Sequence, residues 1–205
     1  MKQRDIKLKR ENRDLKPRFE DLGTAIVIDF YPQGKSLSRK RSEDFNPLAV
    51  VITSHWFEFF DVTMTAGTLL RVNEKIMISS KNKRIFKVNP ISFNQISNSA
   101  STILPQVITE IVMNSEKRFI QFLNQAHPLT TQMHQLQLLP GIGNKRLWAI
   151  LDTRKKALFE SFEDFSIRTG ISDPISVFTN RILSELDGSP KYFLFVKKRK
   201  TFDEV

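Results

Sequence analysis

Residues 138–146 read Leu138-Leu139-Pro140-Gly141-Ile142-Gly143-Asn144-Lys145-Arg146. Apolar residues recur at helical spacing on both sides of this string, which predicts two helices joined by a tight hairpin. Pro140 has no amide hydrogen to give to a helix and stops the first one. Gly141 and Gly143 permit positive φ and let another backbone come close. The second helix then opens with N–H groups that lack intrahelical partners. With the helix dipole they favour an anion, and a phosphate fits. Lys145 and Arg146 fall in its first turn, within reach of the same phosphate or its neighbour. This is the layout of a helix-hairpin-helix, a module that grips a nucleic-acid backbone without reading bases. The competing reading is a plain structural corner with glycines at its bend. Gly141, Ile142, Gly143, Asn144, Lys145 and Arg146 are therefore the first candidate nucleic-acid-binding residues.

Working outward, Pro128 and Thr130 predict the start of the first helix, which carries Met133 and Leu136 toward the hairpin. The second helix is expected to bury Leu147, Trp148, Ile150 and Leu151 and to end in Arg154, Lys155 and Lys156. Ser161 with Asp164 resembles a capping box, and Gly170 ends the helix it opens. Asp173 then caps, Pro174 opens a last helix, and Gly188 finishes it. Gly141-Ile142-Gly143-Asn144 recurs as Gly170-Ile171-Ser172-Asp173. Residues 128–190 thus read as a paired helix-hairpin-helix module with pseudo-twofold symmetry. In the second copy Asp173 fills the helix N-terminus and repels phosphate, so the first hairpin is expected to bind and the second to pack. Residues 191–205 hold a final strand over Tyr192 to Val196 and a basic tail.

Residues 21–90 are β-rich. Strands are predicted over Thr24–Tyr31, Leu48–Thr53, Trp56–Met64, Lys75–Ser79 and Arg84–Val88, a spacing that suits a small closed barrel of oligonucleotide-binding (OB) type. Two of its loops are cationic. One holds Lys35, Arg39, Lys40 and Arg41, and the other Lys81, Lys83 and Arg84. Basic loops beside aromatics are what a single-strand groove uses, although a small barrel must also fill its interior with most of those rings. Residues 91–127 form a helical connector, with Ile103, Val107, Ile108, Ile111 and Val112 on one face, and Ser115 caps its second helix. Residues 1–20 are a basic arm, either ordered on binding or simply solvated.

Composition sets the outer limits. The chain has 205 residues, a formal net charge of +10 and a sequence pI near 9.9, which favours an acidic polymer as partner. It has no cysteine, which excludes disulfides, thiolate catalysis and cysteine-ligated metals, and suits a reducing cytoplasm. No apolar run at the start reads as a signal peptide, and none reaches the roughly 20 residues of a membrane span. Phosphate-loop, nucleophile-elbow and His-Glu-x-x-His patterns are missing. His55, His127 and His134 lack carboxylates at ligand spacing. No catalytic residue, metal or cofactor is therefore expected.

Several strings carry a resemblance: Ala25 through Gly34, Leu104 through Val112, His134 through Gly143, Phe159 through Asp164 and Lys191 through Val196. Across about residues 23–196 the chain resembles a mainly archaeal family of unknown function, described as an OB-like barrel followed by a helix-hairpin-helix region. The resemblance implies nucleic-acid binding. It also implies RNA or ribosome work, because such genes often lie beside ribosomal-protein and ribosomal-RNA methyltransferase genes. Asn144 departs from the pattern, since relatives tend to carry a cation there. The expectation is an α+β protein made of an OB-like β-barrel, a helical connector and a paired helix-hairpin-helix module. It would bind nucleic acid through the backbone, RNA in preference to DNA, with phosphate contacts supplying most of the affinity. One alternative is an accessory protein docking on ribosomal or transcription machinery through protein contacts. The other is a nucleic-acid-processing enzyme with an unrecognised metal site.

Overall fold

The computed structural model describes residues 21–35 and 46–197. The expected arm, the loop cations Arg39, Lys40 and Arg41, and the tail beyond Lys197 lie outside them. Five strands form one antiparallel sheet: β1 (Gly23–Tyr31), β2 (Leu48–Thr53), β3 (Phe59–Met64), β4 (Lys75–Ile78) and β5 (Ile85–Ile91), in the order β4-β1-β2-β3-β5. β1 and β2 read as unbroken apolar runs, Ala25–Ile28 and Ala49–Ile52, because both of their faces are covered. One face gathers Ala25, Val27, Val51, Val62, Ile78 and Ile85, so every strand contributes to it, both edges included. The other sets Ile26, Ile28, Val50 and Ile52 against the helices.

The sheet curls, and its connectivity shows why. β4 and β5 are consecutive in sequence yet lie at opposite edges. In a flat sheet those edges would stand about 19 Å apart. The link between them consists of two successive turns, closed by Asn82 N–H to Ser79 O (2.9 Å) and Ile85 N–H to Asn82 O (3.0 Å). Each turn spans less than about 7 Å, so the edges must approach. Bulges at Ile28 in β1 and Phe86 in β5, the residues without a partner in the register, add to the bend. The result is an open half-barrel rather than the closed barrel expected, with β4 and β5 unpaired to each other among the described residues.

The expected third strand starts three residues late. Thr53 N–H bonds to Glu58 O, and Phe57 N–H to Thr53 O, so residues 54–57 are a turn. Phe57 occupies it at φ +54° with its ring fully buried. The aromatic run from Trp56 to Phe60 hides this turn, because every ring reads as strand-compatible.

Five helices follow: α1 (Asn98–Asn114), α2 (Glu116–Gln125), α3 (Asn144–Lys156), α4 (Phe162–Thr169) and α5 (Pro174–Leu186). α1 lies on β1 and against α5, burying Leu104, Val107, Ile108, Ile111 and Val112. Ser115 does precede α2, but its side chain caps nothing. Phe119 is packed by Phe178 and Phe195 at ring-centroid distances of 4.8 and 5.4 Å. One apolar cluster therefore runs without a break from the sheet to the C-terminal segment.

Two expected elements are absent. No helix begins at Pro128. Leu129 N–H bonds to Met133 O (2.8 Å), Pro128 bridges His134, and only a single 3-10 turn, Gln135–Leu138, leads into the hairpin. Nor is Tyr192–Val196 a strand. Its backbone is held by side chains of α5. The N–H groups of Leu194, Phe195 and Val196 donate to the buried Glu185 carboxylate at 2.8, 2.9 and 2.9 Å. Arg181 pairs with Glu185 (2.7 Å) and donates to the carbonyls of Tyr192 and Leu138. This buried pair, one turn apart on α5, ties residues 192–196 to the hairpin. The sequence carries its signal as two opposite charges at i, i+4 on a face that also bears Phe178 and Ile182.

Candidate nucleic-acid interface

The hairpin is a corner closed by turn bonds. Leu139 N–H donates to Leu136 O, and Ile142 N–H to Leu139 O (3.2 Å). Gly141 takes φ +77°, as a residue without Cβ can, while Ile142 is buried as the wedge between the arms. Gly143 does not use its freedom. It is extended, at φ −84°, and serves as the N-cap of α3. His134 begins the turn before it: its Nδ1 accepts from Leu136 N–H at 3.1 Å. Gln137 then accepts from His134 N–H and donates to Asn144 Oδ1 (2.7 Å), linking the entry of the hairpin to its exit. Burial first, then Arg154 and His127, hold His134 below the usual histidine range, which keeps Nδ1 free to accept.

The two cations of the first turn part company. Arg146 folds back and donates to Gly141 O at 2.8 Å, so it braces the corner. Lys145 is exposed and makes no ion pair among the described residues. No side chain caps α3, so the N–H groups of its first turn lack an intrahelical or side-chain partner. Trp148, expected in the core, is instead 60% exposed, on the same face three residues beyond Lys145. The core beneath is closed by Leu147 and Ile150, with Leu151 half-buried against it.

The second hairpin differs at the corresponding place. Gly170 is left-handed (φ +71°) and Ile171 is buried like Ile142. Asp173, however, accepts from Ser176 N–H at 2.9 Å and caps α5. The Ser176 side chain first, then this N–H bond, draw the Asp173 carboxyl below the usual range. One helix N-terminus is open and the other is filled. The capping box expected at Ser161 is half made: Ser161 accepts from Asp164 N–H, but Asp164 accepts from Glu160 rather than from Ser161.

The remaining candidates divide by chemistry. Lys35 is committed to Asp61 (3.2 Å) and lies over the Tyr31 ring. Lys81, Lys83 and Arg84 sit together on the β4–β5 link, exposed and without ion pairs among the described residues. Among the described residues no hydrogen bond or ion pair joins this group to the hairpin. Several arginines turn inward instead. Arg154 donates to the last carbonyls of α2, and Arg168 to Thr153 and Ala157 at the end of α3. Composition alone cannot separate these structural cations from free ones. Among the described residues no group of three or more His, Asp or Glu is placed to hold a metal, and no helix is long and apolar enough to cross a membrane.

Residues 21–197 match the family described as protein of unknown function (DUF655). An uncharacterized protein of Methanocaldococcus jannaschii is 32% identical over 180 residues, spanning 86% of this chain and 80% of its own. The crystal structure of a DUF655 protein from Archaeoglobus fulgidus superposes with a TM-score of 0.74 at 36% identity, covering 85% of this chain and 99% of that one.

Proposed function

This chain belongs to the DUF655 family, and because no activity is attached to that family we propose a function from its own surface: backbone-directed, largely sequence-independent binding of nucleic acid. The observation that carries this reading is the exit of the first hairpin. An uncapped helix N-terminus, an unpaired Lys145 and an exposed Trp148 share one face there. The N–H groups and the lysine suit a phosphate, and the indole suits a neighbouring sugar or base. In this reading the hairpins are the helix-hairpin-helix pair, the first binding and the second packing, and the half-barrel is the OB-like element. RNA is preferred over DNA on the strength of the family resemblance. The test is binding of fluorescent RNA and DNA oligonucleotides to the full chain and to Lys145→Ala/Trp148→Ala. Wild-type binding that the double variant weakens at least tenfold supports the reading; equal binding by both removes the hairpin from it.

A second reading has its own observation. Leu158, after α3, and Ile167, on α4, are both largely exposed. Such a pair of apolar side chains suits docking on a protein of the ribosomal or transcription machinery. Loss of that association on Leu158→Ser/Ile167→Ser, with oligonucleotide binding intact, would favour it.

A further inference from the structure

The β4–β5 link is a cationic segment with a hydrogen-bonded backbone. On the β4–β5 link, Asn82 Nδ2 donates to Met77 O (2.9 Å) and Arg84 N–H to Asn82 Oδ1 (3.1 Å). Ser80 N–H donates to Asp21 (2.7 Å), and Thr65 N–H to Arg84 O (2.8 Å). With the two turn bonds, these contacts fix the backbone from both sides of the half-barrel. They use none of the link's charged ends, so Lys81, Lys83 and Arg84 project from a preset frame. Immediately after them comes Phe86, the extra residue of the β5 bulge, whose ring is 58% exposed while Ile85 beside it is buried. Met77, whose carbonyl anchors the link, is 54% exposed.

We propose that Phe86 and the β4–β5 link form a second site, which takes an unpaired base of single-stranded nucleic acid on the Phe86 ring while Lys81, Lys83 and Arg84 bear on the adjoining phosphates. The bulge is the device that re-aims the ring: in regular register position 86 would have faced a partner on β3. A lone exposed phenylalanine is ordinary on a protein surface. One that follows three exposed lysine and arginine side chains on a pinned loop, of which Lys81 also feels the nearby Asp21 carboxylate, has the two elements of a stacking platform, a ring and a cationic track. The occupant follows from chemistry. A polyanion is required by the charge, and a free base face by the ring. A duplex interior offers the first without the second. This site deepens the nucleic-acid reading and rests on it, since it adds strandedness to a partner otherwise held by phosphates.

The experiment compares a labelled 12-nucleotide single-stranded RNA with a blunt RNA duplex of the same length, using the full chain. Phe86→Ala should weaken single-strand binding roughly 5- to 150-fold, the range of one lost base stack, and leave duplex binding unchanged. Phe86→Tyr should restore it. Lys81→Ala/Lys83→Ala/Arg84→Ala should weaken both. All three variants alter exposed side chains, and matching circular dichroism confirms that each stays folded. Unchanged single-strand affinity in Phe86→Ala, or equal losses on the two RNAs, overturns the proposal. If Lys145→Ala/Trp148→Ala loses binding while Phe86→Ala does not, the hairpin reading survives and this site fails. If wild type binds neither RNA, both fail. A change in self-association without a change in RNA binding marks the ring as a protein contact and also overturns the proposal.

Discussion

Glu185→Gln should be among the most damaging single substitutions in the protein. The Glu185 side chain is fully buried and accepts four hydrogen bonds: Arg181 Nε and Leu194 N–H on one oxygen, Phe195 and Val196 N–H on the other. Glutamine fills the same space but has one acceptor oxygen. Whichever way it flips, its amide hydrogens meet two donors, and Arg181 keeps a buried charge with no anion. Breaking a buried pair on one side costs roughly 3–5 kcal/mol. A loss of about 4 kcal/mol corresponds to a Tm drop of roughly 8–16 °C for a chain of this size. The sharper arm is Arg181→Met/Glu185→Leu. An ordinary buried pair can be replaced by apolar residues at little cost. Here three N–H groups of the C-terminal segment would still lose their acceptor, at about 1–3 kcal/mol each. The double variant should remain at least about 3 kcal/mol below wild type. Urea denaturation gives both values, and hydrogen exchange at residues 194–196 should rise sharply in both variants. Near-wild-type stability in the double variant would refute the idea that the carboxylate serves the backbone as well as the arginine.

Other expectations follow from the hairpin. Gly141→Ala forces a Cβ into φ +77° and within 3.1 Å of Arg146 Nη1, so it should cost about 1–2 kcal/mol, whereas Gly143→Ala, at negative φ with open space around it, should cost less than about 1 kcal/mol in the same denaturation assay. His134 titrates below its unfolded value, so its contribution is complete above about pH 6.5 and is lost as pH falls through the lower, folded value. His134→Gln should flatten that part of the stability–pH curve, and an unchanged curve would show that the imidazole does not cap the turn. Asp173→Ala should cost about 1 kcal/mol as a lost N-cap. Asp173→Asn should leave nucleic-acid affinity unchanged while Lys145→Ala weakens it; equal losses would end the proposed asymmetry between the hairpins.

The parts legible in the sequence were those set by periodicity and local chemistry. β1, β2 and β4, the apolar face of α1, the glycine at 170, the cap at Asp173 and the last helix from Pro174 all stand where their patterns put them. What escaped depends on partners distant in sequence. Tyr192–Val196 has the composition of a strand, but its N–H groups find a carboxylate on α5 before they find a sheet. Pro128–Met133 has helix-compatible apolar spacing, yet its backbone closes on itself around Met133. Trp148 shares a helix with Leu147 and Ile150, and only the real phase of α3 shows that it points outward. For the candidate interface, the sequence located the hairpin and the β4–β5 cations. It could not show that Arg146 and Lys35 are held by the protein itself, or that Phe86 is bulged outward.

In the proposed function, free cations and an open helix end hold a phosphate backbone. The most direct test of that proposal is the affinity of the full chain for a short RNA at a series of salt concentrations. The logarithm of the binding constant should fall linearly with the logarithm of salt, by about 0.7 per phosphate contacted on a single strand. Lys145→Ala should reduce that slope by roughly the one contact it removes. Binding that is absent at low salt, or present but indifferent to salt, would contradict the account.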